Sequence, residues 1–108
     1  MTRLTVIGLC GMLVLLSGCG PSTEQLRERG AAQFQVGDTD AARETLRLAL
    51  DRSPSDSQSL YFMGRVAFSD GFYERAAYYF RCAIDADPGL EDARVWLVKT
   101  QEAMDRAR

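Results

Sequence analysis

The sequence has 108 residues and lacks histidine, so it is long enough for one small domain but lacks the commonest general base and transition-metal ligand. Charged residues make up 26% and hydrophobic residues 46% of the chain, which is typical of a folded domain rather than a disordered one. With 13 basic and 15 acidic side chains and no basic patch, the composition argues against nucleic acid as a partner, and we expect neither a metal site nor an enzyme.

Residues 1–18 have the pattern of a signal peptide. Arg3 precedes a 13-residue apolar run from Leu4 to Leu16, and small residues follow that run. Thirteen helical residues span about 20 Å, which is shorter than the ~30 Å hydrocarbon core of a bilayer. The run therefore predicts a cleaved leader rather than a permanent transmembrane helix.

The apolar run ends in Leu-Ser-Gly-Cys, which resembles the lipobox of bacterial lipoproteins. The resemblance implies cleavage after Gly18, a diacylglyceryl group on the thiol of Cys19 and an N-acyl chain on its new amino terminus. Two or three acyl chains anchor a protein firmly, whereas one binds only marginally. An Asp directly after the lipidated cysteine would resemble a signal for retention in the inner membrane, but residue 20 is Gly. We therefore expect the protein to be anchored at the periplasmic face of the outer membrane of a double-membraned bacterium. An ordinary secretory signal with an incidental cysteine is the alternative.

Cysteine usage leaves one free thiol in the mature chain. Cys10 lies in the leader and Cys19 is expected to carry lipid, so Cys82 has no intramolecular partner. We expect Cys82 to pack as a small apolar residue, with an intermolecular disulfide or a reactive thiol as the alternative.

A 34-residue repeat begins after residue 22. Residues 23–56 align with residues 57–90 without a gap, and nine aligned positions are identical. Roughly two identities would be expected by chance from average residue frequencies. A fixed period of this length indicates stacked structural units. The identical pairs are Leu26/Leu60, Gly30/Gly64, Phe34/Phe68, Gly37/Gly71, Ala42/Ala76, Arg47/Arg81, Ala49/Ala83, Asp51/Asp85 and Pro54/Pro88.

Each unit is predicted to form two helices joined by a short turn. A Ser-x-x-Gln capping box starts the first helix, and a glycine ends it in the left-handed conformation. The second helices are predicted over 39–52 and 73–86, each stopping before a proline. The predicted boxes are Ser22 with Gln25 and Ser55 with Gln58, and the terminating glycines are Gly37 and Gly71.

Two further glycines fall inside predicted helices. Gly30 and Gly64 each cost about 1 kcal/mol relative to alanine, so close packing should offset the penalty. We expect Ala42 and Ala76 to face them across the helix pairs.

The repeat resembles the tetratricopeptide repeat, a 34-residue helix-turn-helix unit. The first unit departs from the family pattern at Arg29 and Gln33, while residues 91–108 resemble the final helix that caps the last repeat. The resemblance implies an all-α fold: two repeats, 23–56 and 57–90, and a capping helix in a short right-handed α-solenoid, after a leader (1–18) and a lipidated tether (19–22). The second unit supplies the favoured residues Leu60, Met63, Gly64, Ala67, Ala76, Phe80, Ala83 and Pro88.

In this family the first helix of each repeat lines a concave groove that binds a peptide or helix. Ala31 stands where carboxylate-clamp repeats have Asn, so specificity for chaperone tails is not expected. The groove residues that the resemblance implies are Arg27, Phe34, Gln58, Tyr61, Arg65, Phe68, Val95 and Lys99.

Aromatic residues are concentrated in the second unit, where eight of the ten lie between Tyr61 and Phe80. Most are expected in the core, but four exceed what two helices need to bury: Tyr61 and the outer-surface candidates Phe72, Tyr78 and Tyr79. Exposed aromatic residues are common anchors of protein interfaces.

These features predict a non-enzymatic, lipid-anchored adaptor that binds a protein in the cell envelope, with no small-molecule substrate and no cofactor besides the covalent lipid. Analogy with lipoproteins of this architecture favours type IV pilus or secretion machinery, with a pilotin-like role. The alternatives are an accessory subunit of outer-membrane protein insertion, a regulator of a peptidoglycan enzyme, or a self-associating structural lipoprotein.

Overall fold

The computed structural model describes residues 20–108, and this part of the chain is all-α. Each helix packs against the next one along the chain, and α1 also touches α3 while α3 touches α5. The predicted all-α class with five helices is confirmed, whereas the leader and Cys19 lie outside the described residues. The helices are α1 Thr23–Gln35, α2 Thr39–Arg52, α3 Ser57–Ser69, α4 Tyr73–Ala86 and α5 Glu91–Arg106.

The helix bounds follow the sequence repeat. The first and last residues of α3 lie 34 positions after those of α1, and the bounds of α4 lie 34 positions after those of α2. The start of α5 continues the same register. The helices of the two units therefore begin and end at equivalent positions.

The start of α1 has the predicted capping box. The backbone N–H of Gln25 donates to the Ser22 hydroxyl at 3.1 Å, and the backbone N–H of Ser22 donates to Gln25 Oε1 at 2.9 Å. Two backbone donors that the helix cannot satisfy are thus satisfied by side chains.

The predicted capping box at the start of α3 is wrong. Asp56, rather than Ser55, caps this helix and accepts the backbone N–H of Ser59 at 3.1 Å. Asp56 occupies the position 34 residues after Ser22, so the repeat register decides where the helix starts. The Asp56 carboxylate also accepts a hydrogen bond from Arg27 Nη1 at 2.8 Å, which joins α1 to α3.

Glycines end α1 and α3 as predicted. Gly37 has φ +88° and Gly71 has φ +82°, a region that residues with a Cβ rarely adopt. Each reverses the chain tightly, so that the next helix packs back against the one before it.

The two helical glycines allow close approach of large side chains. A Cβ on Gly30 would lie 2.6 Å from Leu46 Cγ, and one on Gly64 would lie 2.5 Å from Phe80 Cε1. The close packing expected at both glycines is present. Its nearest side chains are Leu46 and Phe80, one turn further along the second helices than the expected Ala42 and Ala76.

The core consists of two adjoining clusters. One cluster centres on Leu46 between α2 and α3, and the other centres on Phe80 between α3, α4 and α5. Cys82 is half-buried and packs against the second cluster, as expected for a small apolar residue. Of the two departures from the family pattern, Arg29 is exposed and Gln33 is half-buried.

Candidate functional site

The candidate site centres on Arg65 in the middle of α3. Tyr61 precedes Arg65 by one helical turn, so the two side chains share a helix face. Arg65 Nη1 donates a hydrogen bond to the Tyr61 hydroxyl at 2.8 Å. This bond orients the guanidinium group of Arg65 toward α1 and α5.

The Arg65 guanidinium lies over aromatic rings from three helices. Its central carbon is 5.2 Å from the ring centroid of Phe34 on α1 and 3.9 Å from that of Trp96 on α5. The ring of Tyr61 on α3 itself is 5.8 Å away. Cation–π contacts of this kind contribute about 0.5–2 kcal/mol each, so Arg65 helps to hold α1, α3 and α5 together.

Trp96 extends the same surface along α5. The Lys99 ammonium lies 4.6 Å from the centroid of the Trp96 ring, and Phe68 meets that ring edge-on at 5.2 Å between centroids. We name this group the Arg65 cluster. Its members are Phe34, Tyr61, Arg65, Phe68, Trp96 and Lys99.

The positive charges of the Arg65 cluster lack carboxylate partners. Within residues 20–108, no ion pair involves Arg65 or Lys99. By contrast, Arg27 pairs with Asp56 at 2.8 Å, and Arg43 pairs with carboxylates on α2 and at the end of α3. The cluster is therefore a positive, aromatic patch on a chain that carries a net charge of −2.

The structure brings five of the eight predicted groove residues into this cluster. Of the other three, Arg27 is engaged by Asp56, Gln58 is exposed at the start of α3, and Val95 is 44% exposed on α5. All eight lie on the first helices of the two units and on the final helix.

Trp96 is the one member of the Arg65 cluster that is not among the predicted groove residues. It is the single tryptophan of the chain and precedes Lys99 by three residues, so both lie on one helix face. That spacing is the feature of the sequence from which the place of Trp96 beside Lys99 could be predicted. The approach of Trp96 to Arg65 depends on how α5 packs beside α3.

The surplus aromatic residues divide between core and surface. Tyr61 is only 9% exposed and belongs to the core around Phe80, and Tyr79 is half-buried between the two core clusters. Phe72 and Tyr78 are 53% and 59% exposed, with Arg75 lying 5.0 Å from the Phe72 ring centroid. The outer aromatic surface therefore consists mainly of Phe72 and Tyr78.

Tyr78 also contacts the free cysteine. Hydrogen bonding with the Cys82 side chain, one helical turn further on, raises the pKa of the Tyr78 hydroxyl above its ordinary value.

A cavity lies between α2, α3 and α4. Its volume is about 190 Å³, and Met63 and Val66 lie among its lining residues. Arg43 and Arg47 at its rim are already paired with carboxylates of the chain. Arg75 also lines this cavity and forms no ion pair within residues 20–108, so the cavity has one unpaired cation where the Arg65 cluster has two.

The described helices contain no group of three or more Cys, Asp or Glu side chains arranged to hold a metal ion. Among the helices of residues 20–108, none combines the length and apolarity needed to cross a membrane. No protein-family model matches this chain, and no curated protein matches it either.

Proposed function

We propose that this protein is a lipid-anchored adaptor of the bacterial envelope that binds a partner protein along the face formed by α1, α3 and α5. The observation that carries the proposal is the Arg65 cluster, in which aromatic and cationic side chains from these helices share one face. Aromatic residues and arginine are the side chains most enriched at the centres of protein interfaces.

The proposed architecture is two tetratricopeptide repeats with a capping helix. The 34-residue register of the helix bounds supports this assignment, as does the contact of each helical glycine with a large side chain of the second helix. In such a stack the first helices present the binding face, which corresponds here to α1 and α3, with α5 continuing it.

The proposed anchor is lipid on Cys19, inferred from the leader and the Leu-Ser-Gly-Cys motif. Changing Cys19→Ser should abolish acylation and leave an unprocessed precursor, which mass spectrometry of the membrane fraction would detect. Normal membrane anchoring of the variant without acyl mass would contradict this part of the proposal.

Photo-crosslinking in the native cell tests the binding face. A photoreactive residue at Val95, which is exposed beside the Arg65 cluster, should capture a partner, whereas one at the outer residue Tyr78 serves as the matched control. Tyr61 is unsuitable as a crosslinking site because it is buried in the core.

The captured protein would distinguish the candidate roles. A type IV pilus or secretion component would support the pilotin-like role, and an insertion-machine subunit or peptidoglycan enzyme would support an accessory role. A second copy of this chain would favour self-association. Capture from Tyr78 alone would contradict the proposed face.

A further inference from the structure

We infer that the partner binds the Arg65 cluster through an acidic, extended segment whose internal Asp or Glu side chains meet Arg65 and Lys99. The inference rests on the proposed function and adds the chemistry of the partner to it. It depends on two cations of this face, Arg65 and Lys99, that both lie against the ring of Trp96.

The first argument is the absence of carboxylates at the cluster. The chain has 15 acidic side chains, all of them within residues 20–108, and none of them forms an ion pair with Arg65 or Lys99. Arg27 on α1 and Arg94 on α5 pair with Asp56 and Glu91, whereas Arg29 on α1 and Arg106 on α5 form no ion pair within residues 20–108. Arg65 differs from these unpaired arginines because it is half-buried among aromatic rings. Arg65 and Lys99 therefore lie on one aromatic surface without a carboxylate partner from the described residues, although the chain as a whole is acidic.

The second argument is the environment of the charges. Arg65 is half-buried, and Phe34, Tyr61 and Trp96 surround its guanidinium. Charges interact more strongly where apolar groups lower the local dielectric constant. The attraction between Arg65 and a carboxylate of the partner is therefore stronger at this position than it would be on an open surface. The Tyr61 hydroxyl accepts from one guanidinium nitrogen, which leaves other N–H donors for a carboxylate.

The third argument is the arrangement of the two cations. Both lie against the ring of Trp96, Arg65 at 3.9 Å and Lys99 at 4.6 Å from its centroid. A segment crossing from α3 to α5 would meet both charges, and its apolar side chains would contact Phe34 and Phe68, which lie next to Arg65 and Trp96. An extended peptide with acidic residues interleaved with apolar ones has the complementary pattern.

The test is selection of binding peptides from a random 12-residue library displayed without a free carboxyl terminus. The target is the full lipidated protein in lipid nanodiscs, after removal of peptides that bind empty nanodiscs. We expect the selected peptides to be enriched in Asp and Glu. Their binding should change the fluorescence of Trp96, which is the single tryptophan of the chain.

Variants separate charge from packing. Arg65→Gln and Lys99→Gln together should weaken the selected peptides by about tenfold or more, because each removes a charge-assisted contact. Arg65→Lys should recover part of the loss, since it keeps the charge but not the planar stacking group. Arg81→Gln, which removes an exposed cation from α4, should leave the affinity unchanged.

Each outcome bears on the inference. Enrichment of neutral or basic peptides that still perturb Trp96 would overturn the acidic chemistry while leaving the proposed binding face intact. Failure to select any peptide would contradict both the acidic segment and peptide binding by this face. Equal affinity for the double variant and the unmodified protein would also overturn the inference.

Discussion

At the scale of single residues, Asp56 joins two helices through one carboxylate. It caps α3 by accepting the Ser59 N–H, and it pairs with Arg27 on α1 at 2.8 Å. Both partners of this ion pair are largely shielded from solvent, with 24% and 17% of their side chains exposed. Removing the carboxylate would therefore also leave a half-buried guanidinium without its partner.

Asp56→Ala is expected to lower the free energy of unfolding by about 2–3 kcal/mol, because it removes the helix cap, the ion pair and the acceptor of the buried Ser59 hydroxyl. Asp38→Ala removes only the cap of α2 and should cost about 1 kcal/mol. Urea denaturation of the two variants would measure the difference. Equal losses would show that neither the pair with Arg27 nor the Ser59 hydroxyl bond contributes measurably.

Gly64 shows a conflict between helix propensity and packing. An alanine gains about 1 kcal/mol in a helix relative to glycine, but overpacking a core costs about 1–3 kcal/mol. The ring of Phe80 that the new Cβ would meet is fully buried and lies between Tyr61 and Trp96. The ring therefore has little freedom to move away.

Gly64→Ala is accordingly expected to destabilise the domain by up to about 2 kcal/mol, which lowers the Tm by up to several degrees in a domain of this size. Ala32→Gly, at an exposed position of α1, calibrates the propensity term in the same protein. A rise in Tm for Gly64→Ala, equal in size to the fall for Ala32→Gly, would contradict the packing argument.

At the scale of elements, the helix bounds agree with the local signals. The predicted limits of α2 and α4 coincide with the observed ones, since glycine turns and downstream prolines act within a few residues of a helix end. The start of α3 differed in its capping residue because Asp56 and Ser55 are both good N-caps. The position of the helix within the 34-residue repeat, rather than the residue type, selects Asp56.

The final helix covers the apolar surface that α4 would otherwise expose. Ala93 is fully buried, and Trp96 and Leu97 pack against the cluster around Phe80. Burying a large apolar side chain contributes about 1.5–3 kcal/mol, and a domain of this size has little stability to spare. The fold should therefore depend on α5.

Deletion of residues 91–108 is expected to abolish cooperative thermal unfolding and to increase binding of a hydrophobic dye. Circular dichroism at 222 nm would follow the transition, since the deletion removes the tryptophan reporter. Deletion of residues 107 and 108 alone, which follow α5, is the control and should leave the Tm unchanged. A sharp transition at the original Tm in the longer deletion would refute the covering role.

At the scale of the whole molecule, the distance from the proposed anchor to the domain is short. Only Gly20 and Pro21 separate Cys19 from Ser22, which already caps α1. Three extended residues span about 10 Å. The Thr23 and Ser53 hydroxyls lie 2.9 Å apart, so the connection between α2 and α3 occupies the same end of the domain.

If Cys19 carries lipid as proposed, this end should lie at the membrane surface, and the far end of α1 should lie up to about 20 Å farther from the membrane. A fluorophore at Ser55→Cys should be quenched at least about twofold more by spin-labelled lipids than one at Val36→Cys, both in a Cys82→Ala background. Inserting a flexible 20-residue segment after Gly20 should reduce the difference, because such a segment spans about 25 Å. Equal quenching without the insertion would contradict this orientation.

The amino-acid sequence by itself determined the helices, the turns and the all-α class. Capping residues, glycines, prolines and the 34-residue period are local or regular signals, so they can be interpreted without knowing which helices touch. Tertiary structure alone decided that Phe80 and Leu46 fill the space above the glycines, that Tyr61 is buried while Tyr78 is exposed, and that Trp96 lies against Arg65. These contacts join residues far apart in the chain, and helix packing rather than local preference brings them together.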